Sequence, residues 1–151
     1  MLRFILLVLL FLTQMVFGQR STDEAAVKET IDEFFTGFHQ QDSIQIKATV
    51  FNPVMQTIGK SKEGLTLVRT ETFSNFLKSI VSIPEDKVYQ EKLLGYEIKI
   101  DGDMAHAWTP YEFWLNDEFS HCGVNSFQLV RKDDDWKIIY IVDTRRREGC
   151  Q

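Results

Sequence analysis

The hydrophobic residues in the first half of the chain recur with the period of an α-helix. The stretch AAVKETIDEFFTGFHQQ carries one apolar stripe, and TFSNFLKSI carries another. Between them, Asp42 is a good N-cap residue and predicts a second, shorter helix that passes through Phe51 and is stopped by Pro53. We therefore expect three helices, and the two stripes mark the faces that they bury.

Strands are predicted where the apolar period changes to two. VMQTIG and LTLVRT are short strands joined by the polar segment KSKEG. From Glu91 onward four longer strands are predicted near 92–100, 103–114, 119–131 and 136–145. The turn residues Asp101-Gly102 between the first two are a strong hairpin signal. Helices first and an antiparallel meander last predict an α+β fold in which the helices cover one face of the sheet.

The turn lengths predict which residues of neighbouring strands lie opposite each other. A two-residue turn at 101–102 places Glu97 opposite His106. A two-residue turn at 116–117 places Glu112 opposite His121 and Trp108 opposite Asn125. A four-residue turn at 132–135 places Leu129 opposite Ile138 and Phe127 opposite Tyr140. One face would then hold the following residues: His106, Trp108, Glu112, Trp114, His121, Asn125, Phe127, Leu129, Ile138, Tyr140 and Val142.

We expect this aromatic and polar face to lie under the helices. The opposite face, which holds smaller residues such as Cys122 and Ser126 and also Asp143, is expected to point outward. A one-residue error in either turn would exchange the two faces, because the side chains of a strand alternate.

The first residues, MLRFILLVLLFLTQMVFGQR, have the features of a secretory signal peptide. Arg3 gives a positive start, an apolar run follows, and Val16 and Gly18 are small residues before a cleavage site. The run is too short to span a membrane stably, although an uncleaved anchor is the alternative. We predict that residues 1–18 are removed and that residues 19–151 form one domain, secreted or periplasmic and free of the membrane.

The net charge limits the partners of this domain. The whole chain carries −5 at pH 7, and removing the segment that contains Arg3 makes the mature chain −6. An acidic chain without a basic stripe argues against nucleic acid or anionic lipid as a partner. The triplet Arg145-Arg146-Arg147 is a local exception, which we interpret as a solvated strand end.

The two cysteines of an exported chain predict a disulfide bond. A bond between Cys122 and Cys150 would close a loop of about 30 residues and stabilise the fold by roughly 3 kcal/mol. Two free thiols are the alternative. Neither cysteine has the spacing of a redox or zinc motif, so the bond would be structural.

Candidate catalytic chemistry comes from the predicted register. Glu112 opposite His121 would lie within reach of a carboxylate–imidazole hydrogen bond. Such a pair can raise the pKa of the imidazole and provide an acid or base near neutral pH. The alternative is a structural polar pair at the end of the sheet. Ser120 is expected to point away from His121, because neighbouring residues of a strand face opposite sides, which argues against a Ser–His dyad.

A ligand site is suggested by the aromatic residues of the same face. Trp108, Trp114, Asn125, Tyr140 and His106 are the candidates, because apolar walls with a few polar tips are typical of small-molecule pockets. A packed core is the alternative for each aromatic residue.

No metal site or cofactor is predicted. His106 and His121 would lie about 20 Å apart along the sheet and could not share an ion. The sequence contains no glycine-rich phosphate loop or dinucleotide motif.

The order of elements resembles the nuclear transport factor 2-like superfamily, also described as a cystatin-like cone. The residues that carry the likeness are AAVKETIDEFFTGFHQQD, DGDMAHAW and FQLVRKDDDWKI. Within the superfamily the chain looks like the small exported bacterial proteins that are grouped as SnoaL-like or lumazine-binding-like. The resemblance implies the fold and leaves the chemistry open, because this architecture hosts isomerases, dehydratases, hydrolases, carriers and inactive binding modules.

Three hypotheses follow for the function. The first is an exported domain whose cone binds a small, largely apolar molecule and which forms a homodimer through the outer face of its sheet. The second is a cofactor-independent isomerase or dehydratase that uses His121 and Glu112. The third is a structural or protein-binding module whose cone is filled by its own side chains.

Overall fold

The computed structural model describes residues 22–150, so the predicted signal peptide lies outside the described residues. Within them, the chain forms an α+β fold. The elements in order are α1 (22–39), α2 (Ser43–Ala48), β1 (Val50–Lys60), β2 (Thr66–Glu71), α3 (Phe73–Val81), β3 (Tyr89–Leu93), β4 (Glu97–Asp101), β5 (Met104–Leu115), β6 (Glu118–Lys132) and β7 (Asp135–Thr144). In this part of the chain, no helix is long and apolar enough to cross a membrane.

All these strands belong to one curved sheet in the order β2-β1-β7-β6-β5-β3, with β4 also paired to β5. The pairs are antiparallel except for β1 and β7, which run parallel and make the sheet mixed. The predicted strand at 92–100 is interrupted after Leu93. At this position the Leu94 amide donates to the Pro110 carbonyl at 2.8 Å, and Pro110 has no N–H to return a hydrogen bond.

The predicted apolar stripe of α1 is buried and packs in one core with the sheet. Val27 and Ile31 of the helix are fully inaccessible to solvent, as are Phe127 and Leu129 of β6. Thr30 connects the layers, since its hydroxyl donates to the Trp136 carbonyl at 3.3 Å. The expectation that helices cover one face of the sheet is therefore confirmed.

The helix predicted from Asp42 is shorter than expected. Asp42 caps it as predicted, and its carboxylate accepts hydrogen bonds from the amides of Ile44 and Gln45. The helix ends at Ala48, and Phe51 lies in β1, so the predicted extension through Phe51 is wrong. Pairing of Val50 with Ile138 of β7 decides this, because the chain must enter the sheet here.

The predicted register of the second hairpin is wrong beyond its first two pairs. The two-residue turn is present, with Leu115 opposite Glu118. The pairing then shifts by one residue between Trp114 and Phe113, because β6 contains an extra residue at this point. Phe113, not Glu112, lies opposite His121.

A second bulge changes the pairing of β6 with β7. Leu129 lies opposite Ile138 as predicted, but Gln128 then pairs with Tyr140, so Ile139 is the extra residue. Phe127 consequently lies opposite Ile141. Such bulges add twist and curvature to a sheet, which is what wrapping around the helices requires.

The bulges move most of the residues predicted for the face under the helices to the opposite face of the sheet. The concave face, under the helices, receives His121, Asn125, Phe127, Leu129 and Ile138 as expected. The six other residues predicted for it lie on the convex face instead: His106, Trp108, Glu112, Trp114, Tyr140 and Val142. The first hairpin contributes nothing to this error, because its pairing differs from the predicted one by two residues, which preserves the faces.

The predicted disulfide between Cys122 and Cys150 is present, with a Cα–Cα distance of 5.8 Å. It joins β6 to the tail that follows β7. The same tail is held by a pair of backbone hydrogen bonds between Cys122 and Arg146, each 2.9 Å. Gly123 permits this approach, because a Cβ atom there would lie 1.7 Å from the Thr144 carbonyl oxygen.

Candidate functional site

A cavity of about 410 Å³ lies between the concave face of the sheet and the helices α1 and α3. Its volume falls in the range of small-molecule pockets. The helices and the sheet supply different chemistry to its walls. The lining residues are Phe34, Phe35, Phe38, Met55, Phe76, Ser79, Ile80, Tyr89, Glu91, Tyr111, Phe113, Leu115, Ser120, His121, Asn125, Phe127, Ile141, Asp143 and Arg145.

The helical wall consists of stacked phenylalanine rings. The ring of Phe76 from α3 lies nearly parallel to those of Phe34 and Phe38 from α1, at centroid distances of 5.9 and 6.4 Å. Phe38 also meets Phe113 of β5 edge to face at 6.4 Å. The apolar stripes that the sequence predicts for α1 and α3 therefore line the cavity as well as the core.

Glu91 of β3 provides a carboxylate at the polar end of the cavity. Its Oε1 atom accepts a hydrogen bond from the Asn125 amide at 2.6 Å. Burial raises the pKa of Glu91 to about 7, while the Asn125 hydrogen bond opposes this shift and the charge of Asp143 adds to it. The backbone N–H of Glu91 donates to His39 Nε2 at 3.0 Å, which fixes the strand against α1. Glu91 can therefore exchange a proton near neutral pH.

Asp143 of β7 is the second carboxylate of the cavity and is held by three neighbours. It accepts hydrogen bonds from Thr57 Oγ1 at 2.7 Å, Arg145 Nε at 2.7 Å and the Tyr111 hydroxyl at 3.4 Å. The Tyr111 hydroxyl also approaches the Thr144 carbonyl at 3.0 Å. Burial, followed by the charge of Asp143, raises the pKa of Tyr111, so its hydroxyl stays neutral and can donate a hydrogen bond.

His121 lies in the cavity wall, and its ring stacks on Phe113 at a centroid distance of 4.8 Å. Burial lowers the pKa of His121, and the positive charge of Arg145 lowers it further. The prediction that Glu112 raises this pKa is wrong, because Glu112 lies on the convex face and accepts a hydrogen bond from Trp114 Nε1 at 3.0 Å. His121 is therefore a neutral imidazole at pH 7.

Ser120 also lines the cavity, contrary to the prediction that it points away from His121. The bulge beside this position breaks the alternation of the strand and brings Ser120 Oγ within 3.1 Å of His121 Nδ1. The two side chains form a hydrogen-bonded pair at the cavity wall.

Of the predicted site residues, His121 and Asn125 line the cavity. The other five lie on the convex face. The Trp108 side chain is outside the cavity and 42% exposed. The His106 imidazole is 3.0 Å from Ser126 Oγ, and the Tyr140 hydroxyl donates to Gln56. Glu112 and Trp114 bond to each other, and the Lys92 ammonium lies 4.1 Å from the centroid of the indole.

The sequence interpretation missed Glu91, Tyr111, Phe113, Asp143 and Arg145 as cavity residues. One signal could have found the correct face of β5. Ala105 and Ala107 have the small side chains that allow a helix to approach a sheet closely, and Tyr111 and Phe113 share their alternation. No comparable signal marks Glu91, which lies at the predicted start of the strand near 92–100.

Within residues 22–150, no group of three or more histidine, cysteine, aspartate or glutamate side chains is arranged to hold a metal ion. The polar end of the cavity offers hydrogen-bond donors, one carboxylate that titrates near neutrality and one carboxylate that is paired with arginine. That arrangement suits an uncharged polar group of a ligand or a proton transfer to it.

Comparison with known proteins identifies the fold. No family model and no curated protein matches the sequence. Among solved structures, a protein from Streptomyces avermitilis described as a dehydratase of the nuclear transport factor 2-like family is 15% identical with a TM-score of 0.65, over 84% of this chain and 98% of that one. A nuclear transport factor 2-like protein of unknown function from Shewanella baltica is 12% identical with a TM-score of 0.60, over 85% and 97%.

A third similar structure is a protein of unknown function from Nostoc punctiforme with a cystatin-like fold. It is 11% identical with a TM-score of 0.63, over 84% of this chain and 93% of that one. The chain thus has the nuclear transport factor 2-like fold, and the narrower likeness to SnoaL-like or lumazine-binding-like proteins stays a prediction.

Proposed function

We propose that this chain, with its nuclear transport factor 2-like fold, binds a small and largely apolar molecule in the cavity under α1 and α3. The cavity itself carries the proposal: about 410 Å³ of space is bounded by aromatic rings on one side and hydrogen-bonding groups at one end. Apolar walls provide affinity through burial, and a few fixed polar groups orient the ligand.

Binding can be tested with the neutral fluorescent dye phenylnaphthylamine, whose emission rises in apolar surroundings. Ser79 of α3 is solvent-exposed and lines the cavity, which places it at the mouth. Ser79→Trp should obstruct the mouth and weaken dye binding at least about tenfold, the loss of about 1.4 kcal/mol of binding free energy.

Ser74→Trp is the matched control, because Ser74 lies on the same helix, is exposed and does not line the cavity. It should leave the affinity for the dye unchanged. If the unaltered protein does not bind the dye, or if both variants bind equally well, the cavity is not a binding site. That result would favour a structural module whose cone is filled.

A second candidate function is acid–base catalysis, and the pKa of Glu91 near 7 favours it. This residue replaces the His121–Glu112 pair that the sequence suggested. Glu91 could take a proton from an enolisable substrate, which fits an isomerase or a dehydratase. The Tyr111 hydroxyl could donate to the substrate oxygen by giving up its hydrogen bond to the Thr144 carbonyl. The Streptomyces protein described as a dehydratase has the same fold, which makes this class the first to assay.

The catalytic candidate is tested by assaying a panel of enolisable ketones and β-hydroxy carbonyl compounds with the unaltered protein and Glu91→Gln. Glutamine keeps the acceptor for Asn125 but cannot take a proton. Turnover should disappear in Glu91→Gln while phenylnaphthylamine affinity stays within about twofold. Turnover that survives the substitution would rule out Glu91 as the base.

We further propose that the protein is exported and pairs with a second copy through its convex sheet face. The signal-peptide pattern and the disulfide support export, because disulfides persist in oxidising compartments. Trp108 and Met104 are exposed on the convex face, where large apolar side chains favour contact with another protein. Sedimentation should show a dimer that Trp108→Glu converts to a monomer, and the exported form should begin at Gln19.

A further inference from the structure

A basic groove of about 230 Å³ adjoins the cavity on the concave side of the sheet. Thr57, Gly59 and Lys60 of β1, Leu67 and Arg69 of β2, and Arg145 after β7 line it. Arg69 lies directly opposite Thr57 in the β1–β2 hairpin, and Leu67 lies opposite Gly59. A Cβ atom at Gly59 would meet nothing within 4 Å, so the floor of the groove is open there.

The groove and the cavity are adjacent, because Arg145 lines both. A direct hydrogen bond of 2.7 Å joins Thr57 of the groove to Asp143 of the cavity. The Arg145 side chain is 55% exposed and lies between the two spaces. Its Nε atom donates to Asp143, and its Nη2 atom lies 3.4 Å from Thr57 Oγ1. The hydrogen-bonded side chains of Thr57, Asp143 and Arg145 stand between the two spaces, so a ligand that occupies both must pass beside the exposed Arg145 side chain.

The groove has an excess of positive charge. Arg145 is compensated by Asp143, but among the described residues no carboxylate lies within ion-pair distance of Arg69 or Lys60. The Lys60 ammonium donates to Thr66 Oγ1 at 2.9 Å. Glu71 is the nearest acidic residue along β2, and it lies opposite Met55 at the cavity end of the hairpin. The Lys60–Thr66 pair lies on the other face of the hairpin, so Arg69 is the uncompensated cation of the groove. In a chain of net charge −5 it marks a local site for an anion.

We propose that the ligand is an amphipathic anion whose apolar body occupies the cavity and whose carboxylate, sulfonate or phosphate lies in the basic groove. Arg69 is the main contact for the anion, because a guanidinium can donate two parallel hydrogen bonds to such a group. This inference rests on the proposed function, since the groove alone is too small to hold the apolar body.

The inference is tested with two dyes that share one aromatic body. Anilinonaphthalene sulfonate carries a negative charge, and phenylnaphthylamine is neutral. Arg69→Gln should weaken binding of the sulfonate about three- to tenfold and change binding of the neutral dye less than twofold, as expected for the loss of one partly exposed ionic contact. Arg69→Lys should recover part of the loss, because it restores the charge without the guanidinium geometry.

Lys99→Gln is the matched control, since it removes one positive charge from an exposed position of β4 on the convex side. It should not change the affinity for either dye. Ser79→Trp should weaken both dyes, which assigns their binding to the cavity. Raising the salt concentration from about 0.05 to about 0.5 M should weaken the sulfonate more than the neutral dye, because ions screen the contact.

Other results would separate an error in the anion site from an error in the cavity. If Arg69→Gln and Lys99→Gln have the same effect on the sulfonate, or if the neutral dye binds and the sulfonate does not, the anion site is wrong while the cavity remains a binding site. If neither dye binds, the proposed function fails, and the inference fails with it.

Discussion

The two ends of the concave sheet face lie under the same helices but are built differently. At the closed end, Ala105, Ala107, Leu129 and Ile138 are completely inaccessible to solvent. At the open end the sheet carries Glu91, Phe113, His121 and Asp143, each of which keeps some accessible surface and borders the cavity. One face of one sheet therefore contains both the packed core and the candidate site.

The size of the side chains explains the difference. Ala105 and Ala107 carry only methyl groups and are completely buried, whereas Tyr111 and Phe113 on the same strand face carry large rings that border the cavity. The arrangement separates stability from function: substitutions at the closed end should unfold the protein, and those at the open end should alter binding and its pH dependence.

The largest expected effect is at the closed end. Leu129→Ala should lower the free energy of unfolding by about 3–4 kcal/mol, because a fully buried leucine leaves both lost contacts and a void. Phe113→Ala at the open end should cost less, since one side of its ring already faces the cavity, but it should weaken dye binding more. Urea unfolding and dye titration of both variants measure this contrast. Equal losses of stability would contradict it.

The disulfide holds the tail that follows β7 against β6 at the open end of the sheet. Cys150→Ser should lower the free energy of unfolding by about 3 kcal/mol, because the bond closes a loop with a sequence separation of 28 residues. The variant should also bind anilinonaphthalene sulfonate more weakly, since the released tail carries Arg145. Reducing the unaltered protein should reproduce both effects, and the prediction is wrong if the reduced and oxidised proteins unfold at the same urea concentration.

Glu91 should make stability depend on pH. Its pKa is raised from 4.5 to about 7 in the folded protein, so the folded state holds this proton more tightly than the unfolded chain. The stabilising contribution is complete below about pH 4.5 and is lost as the pH rises to about 7. It amounts to about 3 kcal/mol, because each unit of pKa shift corresponds to about 1.4 kcal/mol.

Glu91→Gln removes this contribution, and the pH dependence of the rest of the chain, which is the same in both proteins, largely cancels in the difference. The stability of the variant relative to the unaltered protein should therefore increase by about 3 kcal/mol between about pH 4.5 and pH 8. Urea unfolding at several pH values measures the difference. A difference that stays constant with pH would mean that Glu91 titrates normally.

The smallest effect is expected on the convex face. Glu112→Gln should change the free energy of unfolding by less than about 0.5 kcal/mol. Residue 112 is partly exposed, and the uncharged glutamine still accepts the hydrogen bond from Trp114. It should not change the pKa of His121 measured by NMR. A clear fall in that pKa would restore the Glu112–His121 pair and contradict the observed register.

The sequence was sufficient for the fold and for most of its elements, because these depend on local patterns. Such patterns are the apolar stripes of α1 and α3, the Asp42 cap and the turn after Leu115. Each lies within a short stretch of the sequence, and each occurs in the structure. The two cysteines of the chain also suggested a bond, and Cys122 and Cys150 are joined.

The faces of the sheet were decided only by the tertiary structure. One extra residue in β6 near Ser120 and another in β7 at Ile139 each shift the alternation by one position, and neither has a distinctive local sequence. These bulges arise where the sheet must curl around the helices, so the need for them comes from packing between distant segments. For the same reason Glu91, Asp143 and Arg145, which are far apart along the chain, meet in one site that no local pattern could predict.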